Sequence, residues 1–226
     1  VTTLPTFITF TGADEWTDLD RMQALSRLYP IEWGILFSPK RQGVDPRYPP
    51  MTFVRKLIKH GPWPRLAAHL CGDYTLRVID GHALPADLDE MLLYQVGRGQ
   101  INGAPVHEAA KIAAWGQCRN LTPIMQCATA WPKIRTDTQT VEWLYDKSCG
   151  KGLVPASWPA VAPLGRRLGF AGGLGPDNVA QHVADIAGSR DISYWIDMES
   201  GIRDDDNNFS LDKCQAVCEA VYGVRT

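Results

Sequence analysis

The chain has 226 residues, of which 45% are hydrophobic and 21% charged, with a formal net charge of −2. This is the composition of a globular domain with a sizeable core. The near-neutral balance excludes the basic surface of a nucleic-acid binder or of a protein held on an anionic membrane.

Taken in order, short β-rich runs alternate with helical patterns. The first run covers residues 6–11. The helix after it is capped by Thr17 or Asp18, carries Leu19, Met22, Leu25 and Leu28 on one face, and ends at Pro30. The second run, 32–37, leads through a long loop to a helix bearing Phe53, Val54, Leu57 and Ile58. The third, 65–70, precedes helical patterns near 73–79 and 88–94, and the fourth, 98–101, precedes a helix over Val106, Ala109, Ala110 and Ala113. The fifth and sixth runs are 123–127 and 141–145. The seventh, 167–171, opens a helix with Val179, Val183 and Ile186. The eighth, 193–198, precedes one with Leu211, Cys214, Val217, Cys218 and Val221. Strand–helix alternation calls for a parallel sheet, and eight units in this length predict one closed (β/α)8 TIM barrel, a single domain over 1–226. The competing doubly wound sheet lacks its GxGxxG after the first strand.

No run approaches the about 18 apolar residues of a membrane span. Residues 1–10 have neither the basic flank nor the apolar core of a signal peptide. The six cysteines form no CxxC pair and no cluster with histidine. Cys214 and Cys218, four apart on a helix, have no matching ligand partner, so buried thiols in a cytoplasmic protein are expected.

In such a barrel, reactive groups gather where strands end, and phosphate sits after the last two strands. There the chain reads Ala171-Gly172-Gly173-Leu174-Gly175-Pro176-Asp177-Asn178-Val179, then Ser200-Gly201-Ile202-Arg203. Paired glycines and a helix start let backbone amides approach an anion, although tight turns alone would share this composition. Strand six ends in Asp146, a candidate general acid or a loop cap. On strand eight, alternation turns Asp197 and Glu199 to one face, into the barrel, with Glu199 nearer the mouth. Lys40 and Arg41, after strand two, are candidate anion-binding cations or an exposed pair. Cys127 and Cys149 lie at strand tops. Trp131 and Trp158 fall in upper loops, where they could cover a planar ligand.

On these residues the C-terminal third resembles phosphoribosylanthranilate isomerase. Ala171 to Val179 is similar to that family's Gly-Gly-Leu…Pro…Asn-Val stretch, and Asp197, Ser200, Gly201, Arg203 and Asp204 are similar to its strand-eight pattern. Leu144, Asp146, Gly150, Gly152 and Trp158 look like a loosened strand six, and residues 34–41 resemble the stretch ending in the substrate-binding arginine. The resemblance implies an Amadori rearrangement of an aminoaldose phosphate without metal or organic cofactor. Asp146 would be the acid, Arg41 would hold a substrate carboxylate, and Gly172, Gly173, Ser200 and Gly201 would bind the phosphate. A phosphorylated sugar is therefore the expected partner, and a homodimer is compatible with it.

Two positions depart from the family. Thr11 stands where strand one carries the family's basic cysteine, and Gln100-Ile101-Asn102-Gly103 replaces Gln-Leu-His-Gly. A threonine hydroxyl supplies no useful anion unaided. Closure sets strand eight beside strand one, so Glu199 is expected to take over proton abstraction, with Thr11 orienting it or the substrate. Asp14, or pairing of Glu199 with Arg203 or Lys147, are the competing expectations. Three functions stay open: a sugar-phosphate isomerase with an altered base, a lyase or epimerase on another phosphorylated ligand, and a barrel that only binds.

Overall fold

The computed structural model describes residues 3–129, 131–133, 136–147, 150–160, 167–188 and 193–225. Its strands are β1 (Ile8–Thr11), β2 (Ile31–Phe37), β3 (Leu66–Leu70), β4 (Arg98–Ile101), β5 (Thr122–Cys127), β6 (Glu142–Asp146), β7 (Leu168–Ala171) and β8 (Tyr194–Met198). All pair in parallel and in sequence order, and β8 returns to β1 through Ile8↔Ile196, Thr9↔Asp197 and Phe10↔Met198. The barrel is closed, as the strand rhythm predicts.

Helices α1 (Leu19–Leu28), α2 (Met51–His60), α3 (Asp73–Asp80), α4 (Ala86–Tyr94), α5 (Ala109–Cys118), α6 (Val179–Ala187) and α7 (Leu211–Tyr222) wrap it. Asp18, not Thr17, caps α1, accepting from the amides of Asp20 and Arg21; the Thr17 hydroxyl donates instead to Asp14. Among the described residues no helix lies between β6 and β7. The outward side chains Tyr145 and Phe170 still need apolar cover there, and Trp131 and Trp158 supply it. Their rings pack edge-on to Phe170 at centroid distances of 5.5 and 5.8 Å. The expectation that these two tryptophans cover a ligand is thus corrected: both are spent on the outer wall.

Alternation sorts each strand into two faces. Ile8, Phe10, Ile196 and Met198 face the helices within the main core. Trp195, Leu144, Ile124 and Phe7 fill the barrel interior. Below them Arg98 bonds Glu32 and Glu142 at 2.6 and 2.7 Å and lies 4.0 Å over the Trp195 ring. Buried charge survives in an apolar interior only when paired in this way. Among the described residues the lower barrel is therefore filled, and the cavity lies at its C-terminal end. No helix among the described residues is long and apolar enough to cross a membrane.

Candidate functional site

The strand ends surround a cavity of about 700 Å3. Thr11, Arg41, Asp146, Gly172, Gly173, Asp197, Glu199 and Ser200 all line it. Gly201 does not. Its α-carbon is pressed against the Leu174 carbonyl, where a side chain would collide, so it joins the turns after β7 and β8 instead of facing a ligand.

Three carboxyl groups reach the cavity in different settings. Asp146 is buried at the end of β6, where it accepts from the Gly150 amide at 2.8 Å and from Gln126 Nε2 at 3.4 Å. Asp197 is buried lower down and accepts from Thr11 Oγ1 at 3.1 Å. Burial pushes its pKa up to about 8 against the opposing Thr11 bond, helped by Glu32 and Glu199, so it holds a proton near neutrality. Glu199 follows β8 and accepts from Arg47 Nη1 at 2.9 Å. Burial raises its pKa, against the opposing pull of the arginine. Glu199 thus pairs with a cation that no sequence pattern singles out, while Lys147 is exposed.

The turn after β7 holds Gly172 at φ 125° and Gly173 at φ 59°, a region that favours glycine. Asn178 ties the turn together, accepting from the Gly175 amide and donating to the Gly173 carbonyl, both at 2.9 Å. Among the described residues, the amides of Gly172 and Gly173 find no acceptor in the protein. Segment 152–154 lies against the same turn: a Cβ on Gly173 would meet the Val154 nitrogen at 2.7 Å and the Gly152 oxygen at 2.8 Å. Both the positive φ and the packing of this loop therefore require glycine at position 173.

Several candidates lie elsewhere. Arg203 turns away from the cavity: Nη1 donates to the Gly12 carbonyl at 2.8 Å, Nε donates to the Asn207 carbonyl at 2.8 Å, and Nη2 pairs with Asp14 at 3.4 Å. Asp14 also accepts from the Phe209 amide at 2.7 Å and does not line the cavity, which corrects its standing as a possible base. The pair clamps the β1 loop to the segment after β8. Lys40 is exposed and outside the cavity. Cys127 touches the rim of the cavity but packs in the main core, and burial pushes its thiol up to about 12, far from a reactive thiolate. Cys149 lies outside the described residues. Cys214 and Cys218 are buried in α7.

The site also contains residues that sequence reasoning misses. Tyr48 is one: the expected Arg41 lies over its ring, 5.4 Å from the centroid. Arg47 belongs to the same β2–α2 loop, and that loop leans across the mouth to β8. His69, within an apolar strand, lines the floor beside Gln100 of β4. A histidine between alanine and leucine in a buried run is the one available signal for it; nothing in the run around Arg47 marks its reach.

The chain matches no protein-family model and no curated protein. Its structure is similar to that of TrpF from Jonesia denitrificans, at 17% identity and a TM-score of 0.66, over 97% of this chain and 98% of that one. It is similar also to monomers of the dimeric phosphoribosylanthranilate isomerase of Thermotoga maritima, at 16% identity and 0.59, over 98% and 100%. A mutant tryptophan synthase α-subunit from Pyrococcus furiosus aligns at 12% identity and 0.51, over 89% and 90%. At such identities the likeness is one of fold, and over nearly its whole length this chain is a TIM barrel of the architecture those enzymes share.

Proposed function

We propose that the protein is a sugar-phosphate isomerase working by ring opening and proton transfer, with Asp146 as general acid and Glu199 as general base. The observation that carries the reading is one cavity that joins the two acceptor-free amides of Gly172 and Gly173 to carboxyl groups on β6 and after β8. Free amides in a positive-φ turn beside a helix start suit a phosphate, and Ser200 adds a hydroxyl. An anion held there leaves the sugar over the carboxyl groups.

In the reaction, Asp146 gives its proton to the furanose ring oxygen as the bond from that oxygen to carbon one breaks. Glu199 removes the proton from carbon two, and the electron pair forms the enolamine. Tautomerisation then yields the aminoketose, with no net change in atoms. Burial raises the Glu199 pKa and so makes it more basic than a free carboxylate, while the charge and hydrogen bond of Arg47 oppose that rise and favour the carboxylate form that a base needs. Thr11 is engaged with Asp197, so its role is to position that carboxyl group. Arg41 supplies positive charge for an acidic group on the far side of the substrate. The likeness to TrpF and to phosphoribosylanthranilate isomerase supports this class of reaction.

Incubation with phosphoribosylanthranilate, followed by NMR for the aminoketose signals, tests the reading. Conversion that Asp146→Asn abolishes supports it. Failure of the protein to bind any sugar phosphate, including ribose 5-phosphate, contradicts it.

A further inference from the structure

On the floor of the cavity two polar atoms have no hydrogen-bond partner in the protein: His69 Nε2 and Gln100 Oε1. Both residues are more than nine-tenths buried, both line the cavity, and they are direct neighbours across β3 and β4. Buried polar groups are normally satisfied, and two adjacent exceptions in a ligand-sized cavity call for a partner from the ligand.

Their surroundings define that partner. Gln100 Nε2 donates to Asn102 Oδ1, and Asn102 Nδ2 donates to Cys71 Sγ. This chain fixes the amide so that Oε1 is left as an acceptor. His69 is seated by Gly34, where a Cβ would come within 2.9 Å of Nε2 and would also collide with Thr11 Oγ1. The imidazole therefore reaches toward β1, beside the Thr11–Asp197 pair. Burial, with repulsion from Arg98, pushes its pKa down to about 3, so the ring is neutral at working pH.

We propose that His69 and Gln100 form a neutral hydrogen-bonding subsite that takes a hydroxyl or N–H group of the phosphorylated ligand and selects against apolar chains. The group donates to Gln100 Oε1 and meets His69 Nε2. The inference rests on the reading that a sugar phosphate occupies the cavity. A ligand lacking such a group leaves both protein atoms unpaired, and sites built this way discriminate strongly against the analogue without the polar group.

Calorimetry with two phosphate probes of similar length, ribose 5-phosphate and pentyl phosphate, tests it on the full chain. The native protein should prefer ribose 5-phosphate by about tenfold or more. Gln100→Met and His69→Phe should each reduce that preference to about threefold or less, with pentyl phosphate binding as well as before or better. Thermal melts should show both variants folded, because each change removes an unpaired buried atom and the one bond lost, from Gln100 Nε2 to Asn102 Oδ1, ends on a residue that is only partly buried. Should one variant fail to fold, the other decides. No preference in the native protein, or a preference that survives in the folded variants, overturns the inference while leaving the phosphate reading intact. Binding of neither probe overturns the phosphate reading and this inference with it.

Discussion

Asp146 and Asp197 stand on one line of register, Asp146↔Ala171↔Asp197, two strands apart and flanking the small Ala171 below the glycine turn. The two carboxyl groups are set differently. Asp146 takes an amide from its own loop. Asp197 is buried against Thr11 with Glu32 and Glu199 nearby, and is pushed up to about 8 by that burial.

This raised pKa has a consequence for stability. The folded chain keeps the Asp197 proton between the ordinary value of 3.8 and about 8, while the unfolded chain has released it. Stability from this group is therefore full at the acid end and falls as pH rises through that window. Glu32, Glu199 and Arg98 share its surroundings and are common to the native protein and the variant. Asp197→Asn removes the penalty, so its melting temperature should exceed that of the native protein by roughly 5 °C or more at pH 8, with the gap closing toward pH 4. Melts across that range check this; a constant gap, or one that grows toward acid, contradicts it.

Asp14 answers for structure. Asp14→Asn leaves Arg203 buried with one fewer anionic partner and weakens the clamp on Phe209. A loss of about 3 kcal/mol is expected, or roughly 10 °C in a chain of this size. Turnover per folded molecule should be unchanged. A large fall in kcat with an unaltered melt would restore Asp14 as a base.

The phosphate turn needs a substitution that does not disturb its packing. Gly173→Val strikes the backbone of segment 152–154 and violates a φ of 59°, so it should lower the melting temperature whether or not phosphate binds there. Ser200→Asp is milder, because Ser200 is exposed and strains no φ, touches the loop through its side chain at Gly152, and the change adds a negative charge at the cavity wall. Affinity for inorganic phosphate should fall about tenfold or more in calorimetry, with the melt unchanged. Unaltered affinity would move the anion elsewhere.

Arg47 should tune the base. Its charge and hydrogen bond hold the Glu199 pKa below what burial alone would set. Arg47→Ala should therefore shift the acid limb of kcat/KM upward by roughly one unit. The pair is about a third exposed on each side, so stability should change little. An unmoved limb would mean that Glu199 does not titrate in catalysis.

The architecture is legible in the sequence because strand alternation and helix periodicity are local. Predicted strand bounds shift by one residue at most sites, and by two at β1, where Thr6 bonds Tyr194 instead of a β2 neighbour. The inward set at Asp146, Asp197 and Glu199 is legible for the same reason, since a period of two assigns faces. What loops do is not. Arg203 and Ser200 are three residues apart, yet one enters a buried clamp and the other the cavity, a division set by the short 3-10 helix Ser200–Ile202. Arg47 meets a partner 152 residues away across the mouth, and no periodicity predicts that reach. Trp131 and Trp158 look like ligand cover until the stretch between β6 and β7, with no helix among its described residues, shows which strand faces they must shield.

If Asp146 and Glu199 divide the proton transfers, steady-state kinetics of Asp146→Asn and Glu199→Gln on a converted aminoaldose phosphate will separate their roles from binding. Each amide keeps the shape and loses the proton chemistry. Each should lower kcat by about a hundredfold or more while changing KM by less than about threefold. Near-native kcat in a Glu199→Gln protein that melts like the native one would contradict the assignment.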